Sequence, residues 1–135
     1  MESEKQEYLK KSNNSNKRIL ARGCDPVLSL QFAKIAPQLL GNVTYIPTTN
    51  DVDFIKKLKT NRWSVIYFAP GACRYSAAKQ QIPGGNYETE GWTLDQYKEL
   101  IRTLQGEDIQ IVESIHEQGG IQLLKTALAK AREIK

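Results

Sequence analysis

The chain has 135 residues and a formal net charge of +4, with 40% hydrophobic and 25% charged residues. A chain of this length forms one domain and buries roughly two-thirds of its unfolded surface, so it needs neither a metal nor a disulfide to fold. Two cysteines without a Cys-x-x-Cys pair exclude a disulfide-rich secreted scaffold. No run approaches the ~18 apolar residues of a membrane span, so we expect a cytoplasmic protein without membrane contact.

A polar segment precedes the first apolar run. Residues 1–17 contain no side chains at core spacing, so we expect a mobile tail there and a single α/β domain over residues 18–135. The first strand is predicted over residues 18–22 and leads into a short loop. In this loop Asp25 is suited to cap a helix that begins at Pro26. Proline is favoured at the first position of a helix, because the N–H group that it lacks would have no hydrogen-bond partner there.

The first helix is predicted to face the core with one apolar stripe. Residues at spacings of four, three and four form this stripe: Leu28, Phe32, Ile35 and Leu39. Pro37 is expected to kink the helix or to split off its last turn, and Gly41 to end it. The stripe therefore predicts which side of the helix packs on the sheet.

The middle of the chain predicts two more strands with a helix between them. The second strand is expected over residues 43–46, and Asn50 with Asp53 can cap the helix that follows. The third strand, residues 63–68, is apolar on both faces except for Ser64. Such a strand is typical of the interior of a parallel sheet covered by helices on both sides.

The last part of the chain begins with a long connection. Residues 69–92 show no clear long element apart from a short helix predicted over residues 75–82, and loops of this length are often functional. Thr93 and Gln96 form a capping box for the next helix. A fourth strand is expected over residues 109–115. A final helix then carries the apolar residues Ile121, Leu124, Ala127, Leu128 and Ala131.

Strands and helices thus alternate four times. This order predicts a three-layer α/β sandwich, in which a four-stranded parallel sheet has helices on both faces and right-handed crossovers. We predict a flavodoxin-like sheet with strand order 2-1-3-4. In such sheets ligands bind beyond the carboxyl ends of the strands, near the point where the strand order reverses. That point lies between the first and third strands, so residues 23–26 and 69–76 are expected to line the site.

Residues with chemistry to offer follow the predicted strands at this edge. The candidate catalytic residues are Cys73, Arg74 and His116, and the candidate ligand-binding residues are Gly23, Cys24, Asp25, Gly71 and Tyr75. A thiol beside an arginine or at a helix N-terminus is a candidate nucleophile, and a histidine can exchange protons near neutral pH. The structural alternatives are cysteines that only pack, an aspartate that only caps and glycines that turns require. With a single histidine, we expect no metal site, and we expect no cofactor.

Three known families share short features with the chain. Residues 66–73, Ile-Tyr-Phe-Ala-Pro-Gly-Ala-Cys, resemble the first strand and loop of bacterial beta-class glutathione transferases, although no helical domain follows here. The same apolar strand followed by Ala69-Pro70 is similar to thioredoxin-like proteins. Their Cys-x-x-Cys pair is absent here, and Tyr75 stands two residues after Cys73. The layout resembles response-regulator receivers without their acidic cluster and phosphoacceptor aspartate. We assign the chain to none of them.

Three functions fit these features. The first is binding of a small anionic or phosphorylated ligand at the sheet edge, with or without catalysis. The second is a non-catalytic protein-interaction module that uses residues 69–92, in which Tyr75, Tyr87 and Trp92 suit a contact surface. The third is thiol redox or thiol transfer through Cys73. Nucleic acid is not expected as a partner, because lysines and arginines are interspersed with acidic residues.

Overall fold

Alternating strands and helices build one parallel sheet in the computed structural model, which describes residues 13–23, 25–68, 89, 92–114 and 120–134. The elements are β1 (Arg18–Arg22), α1 (Pro26–Leu39), β2 (Thr44–Thr48), α2 (Asp51–Thr60), β3 (Val65–Phe68), α3 (Leu94–Gln105), β4 (Gln110–Glu113) and α4 (Gly120–Lys130). The strand order is β2-β1-β3-β4 and each neighbouring pair is parallel. The predicted three-layer, flavodoxin-like fold is therefore confirmed.

Two apolar clusters lie on opposite faces of the sheet. One cluster joins α1 and α4 to the sheet, and the other joins α2 and α3 to it. All four residues of β3 are buried, as predicted for an interior strand. Ser64, the polar exception before this strand, is buried and accepts the Arg18 N–H at its Oγ atom (3.0 Å). The polar side chain thus satisfies the backbone of β1 at the amino edge of the sheet.

Strand β2 runs further than its sequence predicts, through Pro47 to Thr48. Among the described strands β2 pairs with β1 and forms one edge of the sheet. Thr44 donates its N–H to the Lys17 carbonyl (3.1 Å), and alternate residues of a parallel strand bond to opposite sides. Position 47 therefore faces outward, where a proline costs no hydrogen bond with β1.

The apolar stripe predicted for α1 is wrong at three of its four positions. Phe32 packs into the core, with its ring centroid 5.3 Å from that of Tyr45 and 6.0 Å from that of Tyr67. The other three members of the stripe are about half exposed: Leu28, Ile35 and Leu39. Ala36 is fully buried instead, because its small side chain lets the helix lie close to the sheet. The helix also continues through Pro37 without splitting off a turn.

Most of the predicted helix ends agree with the structure. Asn50 accepts the Asp53 N–H at its side chain (2.8 Å), and the Gln96 side chain accepts the Thr93 N–H (2.7 Å). Gly106 ends α3 with a φ of 99°, which favours glycine. The short helix predicted over residues 75–82 lies outside the described residues.

Residues just before β1 contact the body of the domain. Asn14 is buried and its side-chain amide donates to the Leu40 carbonyl (2.9 Å), which satisfies an orphan carbonyl at the end of α1. The Lys17 ammonium donates to the carbonyl of Leu128 in α4 (2.6 Å). Of the predicted tail, residues 1–12 lie outside the described residues, whereas residues 13–17 are held by these contacts.

The amino edge of the sheet is closed by a buried glutamine and an arginine near the C-terminus. Gln105 accepts the Trp63 N–H (2.9 Å) and donates to the carbonyls of Leu58 and Asn61 (both 2.8 Å). Arg132 donates to Gln105 and to the Trp63 carbonyl (2.9 Å). These bonds pair the backbone groups that precede β3. Within the described part of the chain, no helix has the length and apolar character needed to span a membrane.

Candidate functional site

Two of the eight predicted site residues fall in the described part of the chain, Gly23 and Asp25. The other six lie outside the described residues: Cys24, Gly71, Cys73, Arg74, Tyr75 and His116. Their convergence at the carboxyl edge of the sheet therefore stays a prediction.

Gly23 joins the carboxyl ends of the two neighbouring strands β1 and β2. It is buried, and its N–H donates to the Thr48 carbonyl (2.9 Å). Its own carbonyl accepts a hydrogen bond from the Arg22 guanidinium. The Thr48 hydroxyl in turn donates to the Ala21 carbonyl. The backbone at this point of the edge is thus fully engaged and held in one arrangement.

Asp25 caps α1, as its sequence context predicts. One carboxylate oxygen accepts the N–H groups of Val27 (2.9 Å) and Leu28 (3.1 Å), and the residue has the extended backbone of an N-cap. The carboxylate therefore occupies the end of α1 that would otherwise attract an anion. Asp25 is exposed, so a ligand can still reach its second oxygen from outside.

A buried polar cluster lies beside Gly23 at the same edge. We use this name for the four residues Arg22, Asp51, Thr89 and Tyr97, each at most 1% exposed. The Arg22 Nε atom donates to one Asp51 oxygen (2.8 Å). The hydroxyls of Thr89 (2.6 Å) and Tyr97 (2.7 Å) donate to the other. The cluster thus ties the end of β1 to the start of α2, to α3 and to residue 89.

The central carboxylate of this cluster is well compensated. Asp51 accepts three hydrogen bonds and has a guanidinium as its ionic partner, which offsets the large cost of removing a charge from water. The pair is neutral overall and inaccessible to solvent, so it does not itself present a charge to a ligand. Its chemical role is to hold the carboxyl end of β1 rigidly against α2 and α3.

Tyr97 gives this cluster a dependence on pH. Burial, the hydrogen bond to Asp51 and the negative charge of Asp51 raise the pKa of Tyr97 above its ordinary value. The raised pKa belongs to the folded state, so the stabilisation is fully present below the unfolded pKa of ~10 and is lost as pH rises above it.

We expect Tyr97→Phe to lower the free energy of unfolding by about 1.5–3 kcal/mol at pH 7, because it removes one donor to a buried carboxylate. The difference from wild type should shrink between about pH 10 and pH 11.5, where tyrosinate formation penalises only the wild-type fold. Urea unfolding of both proteins across this pH range measures the difference and cancels the titration of other groups. If the difference in unfolding free energy between wild type and Tyr97→Phe stayed constant up to pH 11.5, the folded state would not raise the pKa of Tyr97.

Sequence reasoning did not identify the buried polar cluster. In the sequence Tyr97 falls in an apolar stripe with Leu94, Ile101 and Leu104, a pattern that predicts core packing alone. Asp51 stands between the capping residues Asn50 and Asp53, and its position predicts no further role. A usable signal was nevertheless present. Arg22 ends the first strand, and Asp51 begins the helix after the second, and these strands are neighbours in the predicted order. Opposite charges at the carboxyl ends of adjacent parallel strands are close enough to pair.

The other face of the sheet has a tight contact at the same edge. Gly120 begins α4 directly against the ring of Tyr67 in β3, so that a Cβ atom at Gly120 would overlap the tyrosine hydroxyl. The sequence offers two explanations for this glycine, turn geometry or close backbone approach to a ligand. In the structure the reason is a third one: the backbone of Gly120 lies so close to the Tyr67 side chain that only glycine fits. At the carboxyl end of β4, Glu113 pairs with Lys98 of α3.

No group of three or more histidine, cysteine or acidic side chains within the described residues is arranged to hold a metal ion. No protein-family model, curated protein or solved structure matches the chain. A function must therefore be inferred from the residues of this chain itself.

Proposed function

We propose that this protein binds a small anionic or phosphorylated ligand at the carboxyl edge of its sheet, near the switch point between β1 and β3. The observation that best supports the proposal is the buried polar cluster, which lies at the carboxyl end of β1. Ligands of open α/β sheets bind in the crevice outside this edge, at the point where strand order reverses.

The cost of the cluster is the reason to connect it with function. A buried ion pair is weak evidence for stability, because apolar residues of similar volume often stabilise a fold equally well or better. Ionisable groups buried at a sheet edge are common where a site must be held in one geometry. Arg22 and Asp51 therefore serve as positioning residues for the loops that follow β1 and β2.

The charge that attracts the ligand is assigned to Arg74. Asp25 already occupies the N-terminus of α1, and Arg22 is neutralised by Asp51, so neither supplies a free positive charge. An arginine such as Arg74 can form two parallel hydrogen bonds to a phosphate. A glycine such as Gly71 has no side chain, so the chain at that position can approach the phosphate closely. Cys73 and His116 are the residues to test for chemistry on the bound ligand.

We expect Arg74→Gln to weaken ligand binding by about 10- to 100-fold, the loss of a hydrogen bond between charged groups. Binding is measured by amide shift mapping of the ¹⁵N-labelled full chain with inorganic phosphate, nucleotides and sugar phosphates. Amides at the carboxyl edge, such as Gly23 and Asn50, should move, while Gly106 at the amino edge should not.

Arg62→Gln is the matched control, because Arg62 is an exposed arginine before β3 at the opposite edge of the sheet. It should leave affinity unchanged. If none of the probes moved the amides of residues 23–26 and 70–76, anion binding at this edge would be rejected. Equal losses in the two variants would instead indicate non-specific attraction to a basic protein.

A further inference from the structure

The amino edge of the sheet gathers the basic ends of three helices. Helices α2 and α3 each carry acidic residues in the first turn and basic residues in the last, among them Lys59 and Arg102. The last turn of α4 contains Lys130. Because neighbouring strands are all parallel, these helices end at the same edge of the sheet. The fold therefore separates positive and negative charges that are interspersed along the sequence.

Three arginines outside the helices lie at the same edge and meet at Trp63. The Arg18 guanidinium lies over the Trp63 ring, 4.6 Å from its centroid. Arg62 directly precedes this tryptophan, and the Arg132 Nε atom donates to the Trp63 carbonyl (2.9 Å). The tryptophan thus holds two guanidinium groups close to a third arginine.

These like charges have few acidic partners. Burial, and then the positive charge of Arg62, lower the pKa of Arg132, so these two guanidinium groups repel each other. Asp108 pairs with Arg132 (3.1 Å). Among the residues that the structure describes, no ion pair joins Arg18 or Arg62 to an acidic side chain. Because repulsion between like charges opposes folding, an anion bound beside them would stabilise the arrangement.

We use the name basic edge for the six cationic residues at this end of the sheet. They are Arg18, Lys59, Arg62, Arg102, Lys130 and Arg132. Within the described part of the chain, three acidic residues lie at the same edge, Glu107, Asp108 and Glu133, so positive charge is in excess. Four of the six cationic side chains are exposed, one at or just beyond the end of each of the three helices and one more on α2's side.

We propose that the basic edge binds the phosphate backbone of a nucleic acid. A guanidinium group can form two parallel hydrogen bonds to a phosphate, and four of the six arginines of the chain belong to the basic edge. Its charges are spread over the ends of three helices, so they can contact several phosphates of one strand. Each contact releases counterions, which favours a polyanion over a single small phosphate.

A nucleic acid fits this surface better than an anionic membrane does. Surfaces that bind membranes combine basic residues with apolar side chains that enter the lipid. Of the large apolar side chains that the described residues expose, Leu39 alone lies in the last turn of its helix, near this edge. The others lie in earlier turns of their helices.

Fluorescence anisotropy of labelled single-stranded RNA and duplex DNA, each about 20 nucleotides long, with the full chain tests this proposal. We expect a dissociation constant of about 1–100 μM at physiological salt, and an affinity that falls as salt rises. The double variant Lys59→Gln, Arg62→Gln should weaken binding about 10-fold. It should also reduce the slope of log affinity against log salt by about 1.5–2, because two phosphate contacts are lost.

The double variant Lys34→Gln, Lys125→Gln is the matched control. It removes the same charge from exposed lysines inside α1 and α4, so it should bind like wild type. Amide spectra establish that each variant is folded. With wild type, the oligonucleotide should move the amide of Gly106 and leave that of Gly23 in place. Equal weakening by the two double variants would show attraction to the whole basic protein and overturn the proposal.

Absence of binding to both oligonucleotides would also overturn it. So would tighter binding to phosphatidylserine vesicles with the same dependence on Lys59 and Arg62, which would assign the basic edge to a membrane. Arg62→Gln alone should weaken oligonucleotide binding and leave the small ligand at the carboxyl edge unaffected. The two sites can therefore fail independently of each other.

Discussion

Replacing Asp51 by asparagine is expected to lower the free energy of unfolding by about 3–5 kcal/mol. The substitution keeps the shape of the side chain but removes its charge, so the buried Arg22 guanidinium loses the carboxylate that accepts its Nε–H group. In the wild type the hydroxyls of Thr89 and Tyr97 both donate to one Asp51 oxygen. If the NH₂ group of the asparagine takes the place of that oxygen, these two hydroxyls face a donor instead of an acceptor. Removing one member of a buried ion pair is among the most costly changes that a single substitution can make.

Urea denaturation at pH 7 measures this loss, and Asp53→Asn is the control. Asp53 belongs to the same helix and pairs with Lys57, but both side chains are about one-third exposed. Its loss should therefore cost less than about 1 kcal/mol. The double variant Arg22→Met, Asp51→Asn removes both charges of this buried pair, so its loss should be smaller than the sum of the two single losses. Additive losses would show that Arg22 and Asp51 are not coupled.

Gly120→Ala is expected to lower the free energy of unfolding by about 1–3 kcal/mol, the usual cost of overpacking a core. Alanine in place of glycine ordinarily stabilises a protein by about 0.4–1 kcal/mol where the backbone suits both residues, so this loss has the opposite sign to the usual effect. The reason is the Tyr67 hydroxyl, which the new methyl group would overlap. Tyr67 is buried and cannot turn aside without disturbing the packing of β3.

The sign should reverse when the hydroxyl is absent. In a Tyr67→Phe background the nearest described atom to the new methyl group is the ring Cζ at 3.4 Å, an ordinary contact. Gly120→Ala should then stabilise the protein by about 0.4–1 kcal/mol, because alanine lowers the conformational entropy of the unfolded chain. Thermal unfolding of wild type, both single variants and the double variant measures the four corners of this cycle. A loss of equal size in both backgrounds would mean that Tyr67 is not the obstacle.

Local patterns were enough to predict the architecture and most of the helix ends. Alternating apolar strands and capped helices predict a parallel sheet, and the strand order follows from short right-handed connections. Capping depends on neighbours within one turn, so Asp25, Asn50 and Gln96 have the hydrogen bonds that their spacing predicts. Of the candidate site, the cap formed by Asp25 could be predicted in this way.

The orientation of α1 could not be predicted from periodicity. Its apolar residues extend around more of the helix than a sheet can cover, so several rotations bury a plausible stripe. The sheet selects the rotation in which Phe32 reaches Tyr45 and Tyr67 and Ala36 lies close beneath the helix. The larger residues of the predicted stripe are consequently left about half exposed at the surface.

The sequence by itself therefore determined the elements, their order and the local caps, because these depend on residues close together along the chain. Tertiary structure decided which distant residues meet. Arg22, Asp51 and Tyr97 are far apart in sequence and give no common motif, yet the crossovers bring them to one buried point beside Gly23. A buried charge requires a partner wherever the chain supplies one, and only the folded arrangement shows which carboxylate that is.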